Sequence, residues 1–159
     1  MTAPQRCLLI TPLTFYSFHK PIAAALEERG YKVELVNEEY PANALGKILG
    51  KTGALKLLRT LTLRGLKKRI SGRYNLVLII KGRGLGADSI RFLRGVSDRI
   101  VGYNVDSFLF NPSPLDWYND VDHYATFDIK DAQEYSIPLA HLYSATLPEY
   151  ASNERPLDL

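Results

Sequence analysis

The feature that most constrains this chain is a strand-like segment, Tyr74–Gly82, whose middle is wholly apolar. A strand with one face in water alternates apolar and polar residues, whereas a parallel strand covered on both faces is apolar throughout. Cys7–Ile10 shows the same continuous pattern, while Tyr31–Val36 alternates. The first two segments therefore predict interior strands of a parallel sheet, and the third predicts a strand nearer its edge.

Strand patterns and helix patterns alternate along the whole chain. We predict strands at Arg6–Pro12, Tyr31–Val36, Tyr74–Gly82, Arg99–Asp106, His123–Phe127 and Ala140–Ser144. We predict helices at Ser17–Arg29, Asn43–Ser71 (with breaks at Gly50, Gly53 and Gly65), Ala87–Gly95 and Lys130–Tyr135, with a helical turn at Leu115–Asn119. This alternation predicts a three-layer α/β fold, Rossmann-like or flavodoxin-like, with five or six parallel strands.

Two strand orders satisfy right-handed crossovers, 2-1-3-4-5 and 3-2-1-4-5. We favour the first, because the long helical segment is a natural crossover from an outer second strand to a central third strand. The length of 159 residues suits one such domain.

Composition excludes several classes of protein. The single cysteine, Cys7, excludes an internal disulfide framework, and it begins a buried strand, where packing is a better expectation than nucleophilic chemistry. The apolar runs are far shorter than the roughly 20 residues that span a bilayer, and the N-terminus lacks a secretory pattern. No spacing of His, Cys, Asp and Glu resembles a metal site, and neither a dinucleotide fingerprint nor a Walker loop is present. We expect a cytoplasmic protein without metal or cofactor.

The positive charge is concentrated in one region. Net charge is +3, yet eleven of the twenty basic residues lie between Pro41 and Ala87, a stretch without an acidic residue. Such a block attracts phosphates, and Lys47–Arg73 is a candidate surface for an anionic membrane, which would place the domain peripherally at its inner face. Nucleic acid is a less favoured partner. The alternative is a solvated helix face neutralised by the rest of the fold.

Ligands of such sheets bind at the carboxyl ends of the strands, near the switch in strand order. That rule selects Thr11, Thr14, Tyr16, Lys81, Gly82, Arg83, Asn104 and Ser107 as candidate substrate-binding residues, and Asp106 and His19 as candidate catalytic residues. Several aromatic residues, among them Tyr103, Phe108 and Phe110, lie at the same strand ends, where they stack on a ligand or, as the favoured alternative, belong to the core.

Each of these candidates has a functional and a structural interpretation. Asp106 follows a strand directly and suits a general base or a ligand of a sugar hydroxyl, or else a turn residue that binds the next backbone amides. Lys81 and Arg83 flank Gly82 and suit a phosphate or carboxylate ligand, or else a solvated turn. His19, at a helix start, serves the site or lies on the surface. Asp128 is expected to cap the helix after it.

Four segments resemble the CgeB-like (spore-maturation type) glycosyltransferases. Tyr74–Gly82 is similar to that family's strand "YDLVLVIKG", and Val101–Ser107 to its strand ending in Asp-Ser, where the family often has tryptophan in place of Val105. Thr126–Tyr135 resembles its "TFD-x-x-D-A-x-x-Y" segment, the most specific of the four. His141–Tyr143 falls at the position of a further strand end.

The resemblance runs from about Arg6 to Tyr143 and implies the N-terminal half of a two-domain GT-B glycosyltransferase. In that family this half holds the sugar acceptor and the C-terminal half binds the nucleotide-sugar. We therefore expect an acceptor-side domain at 1–145 and a linker or tail at 146–159, inactive without a second domain or chain and acting on a cell-envelope or lipid-linked acceptor. The alternative is a non-enzymatic flavodoxin-like module that uses its basic stretch.

Overall fold

The computed structural model describes residues 4–13, 19–38 and 55–141. Its strands are β1 (Gln5–Thr11), β2 (Tyr31–Asn37), β3 (Leu76–Ile80), β4 (Ile100–Asn104) and β5 (His123–Thr126). Its helices are α1 (His19–Glu28), α2 (Leu55–Arg69), α3 (Ala87–Val96) and α4 (Ile129–Tyr135), with 3₁₀ helices at Ser113–Asp116 and Tyr118–Asp120. Thr14, Tyr16, Lys47 and the predicted tail 146–159 lie outside the described residues.

The five strands form one parallel sheet in the order β2-β1-β3-β4-β5. The favoured 2-1-3-4-5 order is confirmed, and with it the three-layer α/β architecture. The interior position of β1 follows from its sequence, since Cys7–Ile10 are fully buried. α1 packs on β1 and β2, and α2 packs on α3.

One detail of the sequence-based prediction is wrong. Gly65 does not interrupt a helix: it lies inside α2, buried beside Leu66. A glycine in a helix costs about 1 kcal/mol relative to alanine, which burial of the neighbouring Leu66 in the core offsets. Of the sixth strand predicted at Ala140–Ser144, the structure describes only Ala140 and His141, and 142–144 lie outside the described residues. Just before it, Leu139 forms an isolated parallel bridge to Thr126, and the Ala140 amide donates to the Thr126 carbonyl at 2.8 Å.

Aromatic residues of the core pack against β4 and against the end of β3. Trp117 is 1% exposed and packs edge-on against Tyr124 at 5.5 Å between ring centroids. Gly82 and Gly102 make room for these rings, because a Cβ atom at either position would overlap Trp117 or Tyr124. The aromatic layer thus fixes the backbone where β3 ends.

Three charged clusters line the opposite, amino ends of the strands, which we call the amino edge. Glu34 receives bonds from Arg6 at 3.2 Å and from the Tyr74 hydroxyl at 2.7 Å. Asp98 binds the side chains of Arg73 and Asn75 at 2.7 and 3.1 Å. The third carboxylate, Asp122, pairs with the Arg94 guanidinium and accepts the Ile100 amide. These partners hold the beginnings of neighbouring strands together.

Among the helices of the described segments, none has the length and hydrophobicity to cross a bilayer.

Candidate ligand site at the carboxyl edge of the sheet

The carboxyl ends of β1, β3, β4 and β5 carry polar residues that align across the sheet, and we call this row the carboxyl edge. Strand register pairs Thr11 with Asn37 and Asn104 with Thr126, while Lys81 directly follows the end of β3. Thr11, Asn104 and Thr126 are at most 1% exposed. Buried polar side chains need hydrogen-bond partners. This row of buried polar residues therefore makes the carboxyl edge a candidate ligand site.

Lys81 has an unusual backbone conformation. Its φ is 74°, and the Gly82 amide donates to the Ile80 carbonyl at 3.0 Å, which closes a tight γ-turn around Lys81. A positive φ costs a residue with a side chain about 1–3 kcal/mol and persists where the surroundings enforce it. They do so here, because the Lys81 amide donates to the Tyr103 carbonyl at 2.8 Å and its carbonyl accepts the Asn111 side-chain amide at 2.9 Å.

The strained turn places the Lys81 ammonium against Asp106. Nζ lies 3.0 Å from Asp106 Oδ2, and the two side chains are 21% and 36% exposed. The pair therefore opens to solvent, and a pair so exposed contributes little stability. The alternative for Asp106 was a turn residue whose carboxylate binds the next backbone amides. The turn does not show this bond at Leu109, because the Leu109 amide donates to Ser107 Oγ at 3.2 Å.

A pair of buried amides lies directly behind Lys81 and Asp106. The Asn111 amide nitrogen lies 3.4 Å from Asn104 Oδ1, which also accepts the Asp106 backbone amide at 3.4 Å. Asn104 Nδ2, Asn111 Oδ1 and Thr11 Oγ1 are buried and have no hydrogen-bond partner among the described residues. An unmade bond at a buried polar group costs about 1–3 kcal/mol, so this edge retains several unfavourable features close together.

The glycine loop after Lys81 binds the protein itself. The Arg83 backbone amide donates to Glu38 Oε2 at 3.1 Å, and Glu38 is fully buried after β2. Gly84 lies against the Glu38 carbonyl and Thr62, where a Cβ atom would overlap the carbonyl oxygen. The backbone amide of Arg83 therefore binds an internal carboxylate, while the Arg83 side chain is exposed.

The remaining candidates are placed less favourably. His19 begins α1 half-buried, and within the described residues no hydrogen bond or ion pair joins it to Lys81 or Asp106. Ser107 organises its own turn, because its carbonyl accepts the amides of Phe110 and Asn111, both at 2.9 Å. The structure thus joins Lys81, Asp106 and Asn104, with Gly82 in the turn that holds them.

Sequence reasoning missed Asn111 and Glu38. Glu38 follows β2 directly, so the rule that selects strand ends could have found it. Asn111 precedes a proline and carries no signal that separates it from an ordinary loop residue. Its place at the edge depends on a hydrogen bond to the Lys81 carbonyl, 30 positions away.

Chemistry based on cysteine or on a bound metal finds no support in the described segments. Burial raises the pKa of the Cys7 thiol to about 12, so Cys7 is a neutral packing residue as the sequence predicts. The described residues include no group of three or more His, Cys, Asp or Glu side chains arranged to hold a metal ion.

Comparison with known proteins assigns no family to this arrangement: no protein-family model matches the chain, and no curated protein or solved structure matches it either.

Proposed function

We propose that the carboxyl edge binds a hydroxylated, sugar-like acceptor, and that the chain is the acceptor-binding N-terminal domain of a GT-B glycosyltransferase. The observation that carries the proposal is the Lys81–Asp106 pair, held half-exposed on a strained turn at the edge where such sheets bind ligands. The similarity of Tyr74–Gly82 and Thr126–Tyr135 to CgeB-like enzymes supports the same assignment. A donor nucleotide-sugar is bound only when a second domain or chain supplies its site.

The pair suits one chemical task, which is to accept the proton of an attacking hydroxyl. Lys81 engages Oδ2 of Asp106, whereas Oδ1 has no partner among the described residues. An acceptor hydroxyl donates to Oδ1, and its oxygen attacks the anomeric carbon of the donor sugar. The bond from that carbon to the diphosphate breaks, the diphosphate leaves with the electron pair, and the hydroxyl proton passes to Asp106.

Binding to Asp106→Asn tests the acceptor site. We expect methyl glycosides to bind the full chain, measured by calorimetry, and Asp106→Asn to lose about tenfold in affinity, the value of one hydrogen bond to a charged group. Asp98→Asn is the matched control, since Asp98 pairs with Arg73 at the opposite edge. Equal affinities of the two variants, or no binding of any methyl glycoside, would contradict the proposal.

The half-enzyme claim has its own test. We expect the chain alone to transfer no sugar from a nucleotide-sugar, because the donor site lies elsewhere. Turnover at an ordinary enzymatic rate without a partner would overturn that claim while leaving the acceptor site in place.

A second candidate function, docking on an anionic membrane, is favoured by one face of α2. Lys56, Arg64, Lys67 and Lys68 are exposed on one side of this helix beside Leu57, which is 50% exposed. The stripe is narrower than the basic stretch of the sequence, because Arg59 pairs with Asp116 and Arg73 with Asp98. Each cation near an anionic surface contributes about 1 kcal/mol.

Sedimentation with vesicles separates this second function from the first. We expect the chain to sediment with anionic vesicles and not with zwitterionic ones, and Arg64→Glu with Lys68→Glu to abolish the effect. The control exchanges Lys32 and Lys130, both exposed elsewhere, for glutamate and reaches the same net charge. If both double variants lose binding alike, net charge rather than this face of α2 is responsible.

A further inference from the structure

Two of the most exposed apolar side chains described in this protein lie three and four residues after Asp106 in the chain. Leu109 and Phe110 are 82% and 78% exposed, and they lie on the turn that begins after Asp106. Isolated apolar residues on a surface are ordinary, but an adjacent pair beside a polar site is a mark of ligand recognition. The contacts of the neighbouring residues determine whether this exposure is incidental or is fixed by the fold.

The turn is anchored on both sides of the exposed pair. Before it, Phe108 is 4% exposed, lies 5.1 Å edge-on from the Tyr135 ring, and donates its amide to Asp131 at 2.7 Å. After it, Asn111 is 1% exposed and binds the Lys81 carbonyl.

Within the turn, the Phe110 amide bonds the carbonyl of Ser107, the residue that follows Asp106. The side chains of Leu109 and Phe110 are thus exposed to solvent on a backbone that these hydrogen bonds hold in place, three and four residues after Asp106. Asn111 also joins this turn to the backbone of Lys81, so the polar pair and the apolar pair belong to one assembly.

We propose that Phe110, with Leu109, forms the apolar wall of the acceptor site and selects acceptors that carry an apolar group beside the reacting hydroxyl. The inference rests on the proposed function and names its substrate class: amphipathic glycosides rather than free hydrophilic sugars. The chemistry of the ligand follows from the position of this turn directly after Asp106. A ligand whose hydroxyl reaches Asp106 extends its neighbouring atoms over the turn. Covering an exposed phenylalanine with an alkyl chain removes apolar surface from water, which favours the bound state.

The test compares a methyl glycoside with the octyl glycoside of the same sugar, below its micelle concentration, on the full chain by calorimetry. We expect the octyl glycoside to bind about tenfold more tightly, an effect of the size that burying one large apolar side chain produces. Phe110→Ala should bring the ratio of the two affinities close to one, because it removes the apolar surface that the octyl chain covers. Leu57→Ala, which removes an exposed leucine on α2, should leave the ratio as it is.

The outcomes separate the two proposals. Absence of binding of either glycoside overturns both. Equal binding of the two glycosides that is weakened by Asp106→Asn overturns the wall alone. An octyl preference that survives Phe110→Ala, or that Leu57→Ala removes equally, also overturns it. Sedimentation showing a wild-type dimer that Phe110→Ala dissociates would assign the turn to a second copy of the chain and overturn the wall. Melting temperatures of both variants confirm that each is folded.

Discussion

The two edges of the sheet use polar residues in opposite ways. At the amino edge, Glu34, Asp98 and Asp122 each meet a guanidinium and at least one further donor. At the carboxyl edge, the Lys81–Asp106 pair lies on a strained turn beside buried amide atoms that have no hydrogen-bond partner in the part of the chain that the structure describes. Among the described residues, the carboxylates of the amino edge are paired with donors, whereas the carboxyl edge retains backbone strain and buried polar atoms without partners. Such features collect where function requires them, because selection for stability alone would remove them.

The largest effect is expected at Gly82. Gly82→Ala adds a Cβ atom at φ 67° into the ring of Trp117, so it combines backbone strain with an overlap in the core. We expect a loss of about 3 kcal/mol in the free energy of unfolding, measured by urea denaturation. Gly95→Ala in α3, where no described residue has an atom within 4 Å of the added one, is the control and should gain up to about 1 kcal/mol. Similar losses at both positions would show that Trp117 does not fix this turn.

Lys81→Gly should separate stability from binding. Glycine accepts φ 74° without strain, so we expect the free energy of unfolding to rise by about 1 kcal/mol even though a half-exposed ion pair is lost. Glycoside binding should weaken about tenfold. Ser136→Gly, at φ 55° after α4, should stabilise to a similar extent and leave binding unchanged. A Lys81→Gly variant that is destabilised would mean that the turn carries no stored strain.

The two regions are also expected to respond to acid with opposite signs. The Ile100 amide and the Arg94 guanidinium hold the pKa of Asp122 below its usual value, despite some opposing burial. This carboxylate therefore stabilises the fold above about pH 4 and ceases to do so as the pH falls through its lowered pKa. Burial raises the pKa of Asp131, under the Phe108 turn, more than the Phe108 amide lowers it. Ionisation of Asp131 therefore opposes folding as the pH rises from about 4 through its raised pKa.

Urea midpoints between pH 3 and pH 7 measure this difference. On acidification from pH 7 to pH 3, Asp122→Asn should lose less stability than the unsubstituted protein. The stability of Asp131→Asn relative to the unsubstituted protein should increase as the pH rises. These shifts are the smallest of the expected effects. If both variants shift the midpoint in the same direction with pH, the electrostatic contrast between the two regions is wrong.

The sequence carried enough information for the fold because the decisive signals are local. Continuous apolarity placed β1 and β3 inside the sheet, and Asp128 caps α4 as predicted by accepting the amides of Lys130 and Asp131 at 2.9 and 3.0 Å. The prediction at Gly65 was wrong because packing, rather than the low helix propensity of glycine, decides that α2 continues through this residue.

The site was only partly accessible to sequence reasoning, because its contacts are non-local. Lys81 and Asp106 follow from the rule about strand ends, but the support from Asn111 crosses 30 positions and that from Glu38 to Arg83 crosses 45. The positive φ of Lys81 runs against the preference of lysine, so no local pattern announces it. The same holds for Phe110, whose exposure depends on how Phe108 and Asn111 are anchored.

The most direct test of the difference between the edges is a residue-by-residue NMR titration of the full chain with an octyl glycoside. We predict that the amide signals of Gly82, Asp106 and Phe110 shift in a saturable manner with one common dissociation constant, while those of Asn75, Asp98 and Ile100 at the amino edge stay in place. Saturable shifts at the amino edge, or shifts spread evenly over both edges, would contradict the central claim that the carboxyl edge of this sheet is a ligand site.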